Sequence, residues 1–65
     1  MFINIEVERV RRRMSKAKVA RELAVDATTL DDWIHRRSAI PASKLRALSR
    51  LFAGCTLDYL LKEGR

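Results

Sequence analysis

From residue 19 onward the apolar positions fall three and four residues apart, the spacing of one helix face buried and the other wet. Val19, Ala20 and Leu23 form one such group, and Leu30, Trp33 and Ile34 form the next after a break at residues 24–26. Leu45, Leu48, Leu51 and Phe52 continue the pattern, and Leu57, Tyr59, Leu60 and Leu61 close it. Polar residues stand where the helices should start: Ser15, Asp26 and Thr56 are good N-caps, and Pro41 suits the first turn of the fourth helix, which Gly54 ends. Residues 2–7 alternate like a strand, but no second alternating run exists to pair with them, and a lone strand leaves its backbone groups unpaired. This segment is therefore predicted to lead into a helix over residues 5–12, capped by Asn4 and burying Val7 and Val10. Glu6 and Glu8 lie towards its positive end and Arg9, Arg11 and Arg12 towards its negative end. The tail, residues 62–65, is expected to fray. The predicted fold is all-α, five short helices in one domain over residues 1–65.

The same periodicity says which residues face outward. Lys16, Lys18, Arg21 and Glu22 lie on the wet side of the second helix, and Ala27, Thr28, Asp31, Asp32 and His35 on that of the third. Between them Ala24-Val25-Asp26 makes the turn, with Asp26 placed to accept the N–H of Thr28 or Thr29. His35-Arg36-Arg37-Ser38 then forms a basic connection.

Charge narrows the partners. Fourteen Lys and Arg against 8 Asp and Glu give +6 on 65 residues, which favours a polyanion such as nucleic acid. Membrane binding is not expected, because each apolar face is needed for the core and no apolar run approaches the roughly 18 residues of a bilayer span. The single Cys55 allows no internal disulfide, so a reducing cytoplasm is the expected compartment. It reads as a small buried thiol, and Trp33, on the inward stripe, as core. So short a chain offers little room for a buried active site, and it carries no Gly-rich phosphate loop and no recognisable Ser/His/Asp or Cys/His arrangement. One His and one Cys are too few for an ordinary zinc site. No enzymatic activity, cofactor, metal or small-molecule ligand is expected.

The segment Met14-Ser15-Lys16-Ala17-Lys18-Val19-Ala20-Arg21-Glu22-Leu23-Ala24-Val25, followed by Thr29-Leu30 and Trp33-Ile34, resembles the helix-turn-helix of the Cro/C1-type (XRE-type) family. Ile40-Pro41-Ala42-Ser43-Lys44-Leu45 and Cys55-Thr56-Leu57-Asp58-Tyr59-Leu60-Leu61 are similar to the end of that family's five-helix domain, as in small phage and plasmid repressors. The resemblance covers residues 4–61. It implies a lambda-repressor-like bundle whose third helix, about residues 27–35, enters the major groove of double-stranded DNA. The implied base-facing set is Ala27, Thr28, Asp31 and Asp32. Phosphate contacts are implied for Ser15, Lys16, Thr29, Arg36, Arg37 and Lys44. Tyr59, Leu60 and Leu61 are implied as a homodimer surface, giving a repressor that binds two related half-sites.

Departures from the family pattern sharpen this. Lys16 stands where the family usually has Gln, and so supplies charge without an acceptor. Ala24 stands where Gly is usual, and a left-handed conformation there costs on the order of 1 kcal/mol. Asp31 and Asp32 put negative charge on the face that would meet DNA. They suit the cytosine amino group, the one major-groove edge that welcomes a carboxylate. They could equally pair along the helix, Asp31 with His35 and Asp32 with Arg36. An alternative function follows from the same charges: a protein-interaction module, antirepressor-like, docking a basic partner on the acidic face.

Overall fold

Two short helices, α2 (Lys16–Glu22) and α3 (Ala27–Ile34), form as the caps dictate in the computed structural model, which describes residues 1–64. The Ser15 hydroxyl accepts the Lys18 N–H at 3.0 Å and the Asp26 carboxylate accepts the Thr29 N–H at 2.7 Å. Before them lies α1 (Ile3–Arg11), and after them α4 (Ala42–Leu51) and the single turn α5 (Leu57–Leu60), capped by Thr56. Among the described residues there is no strand, and no helix is long and apolar enough to cross a membrane.

The ends of α1, α2 and α3 share one device. Each is followed by a residue in the left-handed region: Arg13 at φ 56°, Ala24 at φ 58° and Arg36 at φ 60°. In each case that residue's N–H donates to a carbonyl three back and the next N–H to one five back, as in Ala24 to Arg21 and Val25 to Ala20. This double closure satisfies carbonyls that the helix end would otherwise orphan. It normally uses glycine, and here all three positions carry a Cβ.

One core joins the helices. Val19, Ala20 and Leu23 of the α2 segment meet Leu30, Trp33 and Ile34 of α3, with Ile5, Leu48, Phe52 and Leu60 closing round them, all buried. Lys44 extends from α4 to donate to the carbonyl of Leu23 at 2.7 Å, tying the end of α2 to the fourth helix. The chain fills 23 × 23 × 21 Å.

The first helix departs from the sequence expectation. It starts at Ile3 after Phe2, which makes no side-chain cap, and Asn4 instead donates its amide to the Tyr59 carbonyl at 2.8 Å. Ile5 and Glu8 face inward, leaving Val7 39% and Val10 61% exposed rather than buried. A carboxylate can occupy the inner face because it is fully answered. Glu8 accepts from the Tyr59 hydroxyl at 2.8 Å and from Arg12, with Arg11 at 3.5 Å. Arg12 in turn lies over the Phe52 ring at 5.2 Å and donates to the Ala53 carbonyl. The expected fraying is also corrected for residues 62–64: Gly64 and Met1 exchange backbone hydrogen bonds at 2.8 and 2.9 Å. Arg65 lies outside the described residues.

Candidate nucleic-acid interface

The outward face of α3 is fixed by its inward one. With Leu30, Trp33 and Ile34 1%, 5% and 0% exposed, the helix cannot rotate without lifting its whole apolar stripe out of the core. Ala27 and Thr28 are exposed at its first turn, and Asp31 and Asp32 are half-exposed one turn on.

The two aspartates are not bare charges. Asp31 receives Lys16 Nζ from the start of α2 at 3.0 Å and a guanidinium nitrogen of Arg37 at 2.7 Å, with His35 Nδ1 at 3.4 Å. Asp32 receives Nε of the same Arg37 at 2.9 Å. Hydrogen bonding from Lys16 first, with further help from Arg37, holds the Asp31 carboxyl below the usual aspartate range. The sequence expectation of Asp31 beside His35 is thus met. Its companion, Asp32 with Arg36, is not.

The reason is the left-handed turn at Arg36. It folds the chain back so that the Arg37 N–H reaches the Asp32 carbonyl at 2.7 Å, and the Arg37 side chain returns over the helix it has just left. Arg36 is aimed the other way, pairing with Glu63 and lying over the Phe2 ring at 5.5 Å. Lys16 and Arg37 therefore border the outer face of α3 as partners of its acids, while Arg36 belongs to the neighbouring edge.

The other residues named from sequence are dispersed. Ser15 and Thr29 take part in the two caps through the Ser15 hydroxyl and the Thr29 N–H, and Lys44 is held by the Leu23 carbonyl. Leu60 is fully buried and is core, which corrects its assignment to a partner surface. Successive residues on one turn of helix cannot all face outward. Tyr59 is half-buried with its hydroxyl committed to Glu8, and Leu61 lines a shallow groove with Phe2, Ile40 and Leu45.

Several charged groups here were not singled out from sequence. Glu6 accepts two hydrogen bonds from Arg9 at 3.0 Å, and Arg9 also donates to the Met14 carbonyl. The i, i+3 spacing of Glu6 and Arg9 was a readable signal for that pair. Lys16 and Asp31 lie near enough to bear on the Glu6 carboxyl, which Arg9 above all holds low. Among the described residues Arg13, Lys18, Arg21, Lys44, Arg46, Arg50 and Lys62 make no ion pair with a carboxylate, so the positive excess resides largely in them. No group of three or more His, Cys, Asp or Glu among the described residues is gathered as a metal site. Comparison with protein-family models, with curated proteins and with solved structures finds no match to this chain.

Proposed function

We propose that the chain is a sequence-specific double-stranded DNA-binding transcriptional regulator, a repressor acting as a homodimer, with α2 and α3 as a lambda-repressor-like helix-turn-helix that presents α3 to the major groove. The observation that carries this reading is the locked outer face of α3, with small Ala27 and Thr28 at its tip and Lys16 and Arg37 beside it. A helix with short side chains at its exposed first turn can approach base edges closely, and cations flanking it can meet the neighbouring phosphates.

The ion-pair network gives the reading a mechanism. Phosphates approaching α3 compete with Asp31 for Lys16 and Arg37, so backbone contact is made at the expense of an existing pair. Among the described residues Asp31 pairs with two cations, Lys16 and Arg37, and Asp32 with Arg37 alone, which leaves Asp32 with more unused acceptor capacity for a cytosine amino group. A duplex offering no such donor leaves a carboxylate facing negative charge, and this disfavours indiscriminate binding.

A fluorescence-anisotropy titration against a random duplex pool at low and moderate salt, with sequencing of the bound fraction, tests the proposal. The expected result is affinity that falls steeply with salt and an enriched motif with two related halves. Absence of binding at low salt overturns it. That outcome favours the second reading, a protein-docking module in which a basic partner displaces Lys16 and Arg37 from Asp31 and Asp32.

A further inference from the structure

The cations that the fold leaves unpaired gather on two helices. Lys18 and Arg21 on α2 and Arg46 and Arg50 on α4 are all exposed, and among the described residues none of them is in an ion pair. Glu22 is the one acid in either helix. The two helices meet, because Lys44 of α4 holds the Leu23 carbonyl at the end of α2 and Glu22 shares a shallow depression with Ala47, Arg50 and Leu51. On the outer face of α3, by contrast, Lys16 and Arg37 are matched by Asp31 and Asp32. Lys18 stands two residues on from Lys16, about 200° round the helix, so it points away from the side of α2 that meets Asp31. The surplus of positive charge therefore lies on the outer side of α2 and α4 and not on α3.

Stability does not account for that charge. Lys18 and Arg21 are three residues apart and Arg46 and Arg50 four, spacings at which like charges are neighbours on a helix and repel. The helix dipole favours Arg21 and Arg50, each in a last turn, but it disfavours Lys18 in the first turn of α2 and does little for Arg46 in the middle of α4. Cations held together at a cost to the fold point to an anionic partner. The rest of the surface says which kind. A protein partner is anchored by large apolar or aromatic side chains, and the exposed ones, Val7 and Val10, lie on α1. Apart from Glu22 the remaining exposed positions of α2 and α4 are Ala17, Ala42 and Ser43, all small. A polar, strongly basic surface with short side chains beside its cations suits nucleic acid.

We propose that the outer face of α2 and α4 is a second nucleic-acid surface, which holds the phosphate backbone of a duplex without reading its sequence and is separate from the outer face of α3. Phosphate attraction needs no base contact, so this face works whether or not α3 reads bases.

Anisotropy titrations of a random-sequence duplex of about 12 base pairs, at salt from about 20 to 150 mM, test it. Lys18→Gln with Arg21→Gln, and Arg46→Gln with Arg50→Gln, should each flatten the salt slope by about two and weaken low-salt binding at least about ten-fold. Arg11→Gln with Lys62→Gln removes the same charge from exposed positions elsewhere and should change the slope by less than about one. Lys16→Gln with Arg37→Gln, which strips α3 of its flanking cations, should leave at least half of the slope. Circular dichroism melts check that each variant folds. Equal effects of all the double variants would mean that net charge alone acts and would overturn the proposal. Loss of binding in the Lys16 and Arg37 variant overturns it too, since the face then has no hold of its own. Equal competition by poly-glutamate at matched charge assigns the face to an acidic protein instead. A slope that depends on α2 and α4 with no enriched motif removes the reading of α3 and leaves this face standing; an enriched motif with a slope indifferent to these cations does the reverse.

Discussion

Replacing Ala24 with glycine should stabilise the protein, and the size of the effect follows from the backbone. Ala24 sits at φ 58°, a conformation in which an L-residue's Cβ crowds its own carbonyl at a cost of roughly 1–2 kcal/mol. Glycine removes that crowding but gives the unfolded chain more freedom, which returns about 0.4–1 kcal/mol. The Ala24 side chain is exposed, and the two hydrogen bonds that close the turn come from backbone N–H groups that glycine retains. At the middle of these ranges the net gain is about 0.8 kcal/mol, which for a domain of this size raises the melting temperature by about 3–6 °C. Ala17→Gly is the matched control. Ala17 is also exposed, but it lies within α2, where the same change should destabilise by up to about 1 kcal/mol. Thermal and urea melts followed by circular dichroism should give shifts of opposite sign for two substitutions seven residues apart. A neutral or destabilising Ala24→Gly would refute the claim that strain is stored at the turn between α2 and α3.

Asp31→Ala releases Lys16 and leaves Arg37 with Asp32 alone, so affinity for non-specific duplex should rise and the salt dependence should steepen by about one phosphate contact; an unchanged slope in the anisotropy titration counts against the network. The Glu8 carboxyl is held below its ordinary 4.5 by the Tyr59 hydroxyl first and Arg12 next, so its stabilisation is full above that value and disappears as pH falls through the lower folded-state value. Glu8→Gln should therefore melt lower at neutral pH and lose stability less steeply below about pH 4.5 in melts across the acid range. Some slope must remain, because Glu6, Asp26, Asp31 and Glu63 are also held low; an acid limb identical to that of the unmutated chain would show that Glu8 is not the linked group. In the core, Ile34→Val should cost about 0.5–1.5 kcal/mol and Leu30→Ala about 2–5, the latter a large share of the roughly 3–10 kcal/mol such a chain holds in total; comparable effects of the two in urea melts would contradict the burial.

From residue 15 onward, where the sequence signal is local, sequence and structure agree; the Asn4 cap is the local signal that fails, because its amide is drawn to the Tyr59 carbonyl. Ser15, Asp26 and Thr56 cap the helices they precede, since a cap needs only a residue type and a neighbour two or three positions on. Val19, Ala20 and Leu23, then Leu30, Trp33 and Ile34, are buried because each group occupies one narrow face with no large apolar residue competing on the other. The first helix has two candidate stripes, one through Val7 and Val10 and one through Ile5 and Glu8. Hydropathy alone prefers the first. What decides for the second is the Tyr59 hydroxyl, 51 residues away, with Arg12 clamped over Phe52, and no periodicity in residues 2–12 contains that information.

The candidate site divides along the same line. Pairs set by helical spacing could be read directly, and Asp31 beside His35 at i, i+4 is one. The Arg37 contact with Asp31 is six residues long and arises only because Arg36 turns the chain back on itself in a conformation that sequence gives an arginine little reason to adopt. That one backbone choice exchanges the roles of two adjacent arginines, sending Arg37 to the aspartates and Arg36 to Glu63 and Phe2. It also changes what the charges on α3 mean. Two unpaired aspartates would repel any duplex. Two aspartates holding Lys16 and Arg37 make a face near neutrality whose cations can change partners. The excess positive charge then lies with unpaired groups such as Lys18 and Arg21 on α2 and Arg46 and Arg50 on α4. On the proposed reading these give general attraction to a duplex, while the paired groups at α3 separate one sequence from another.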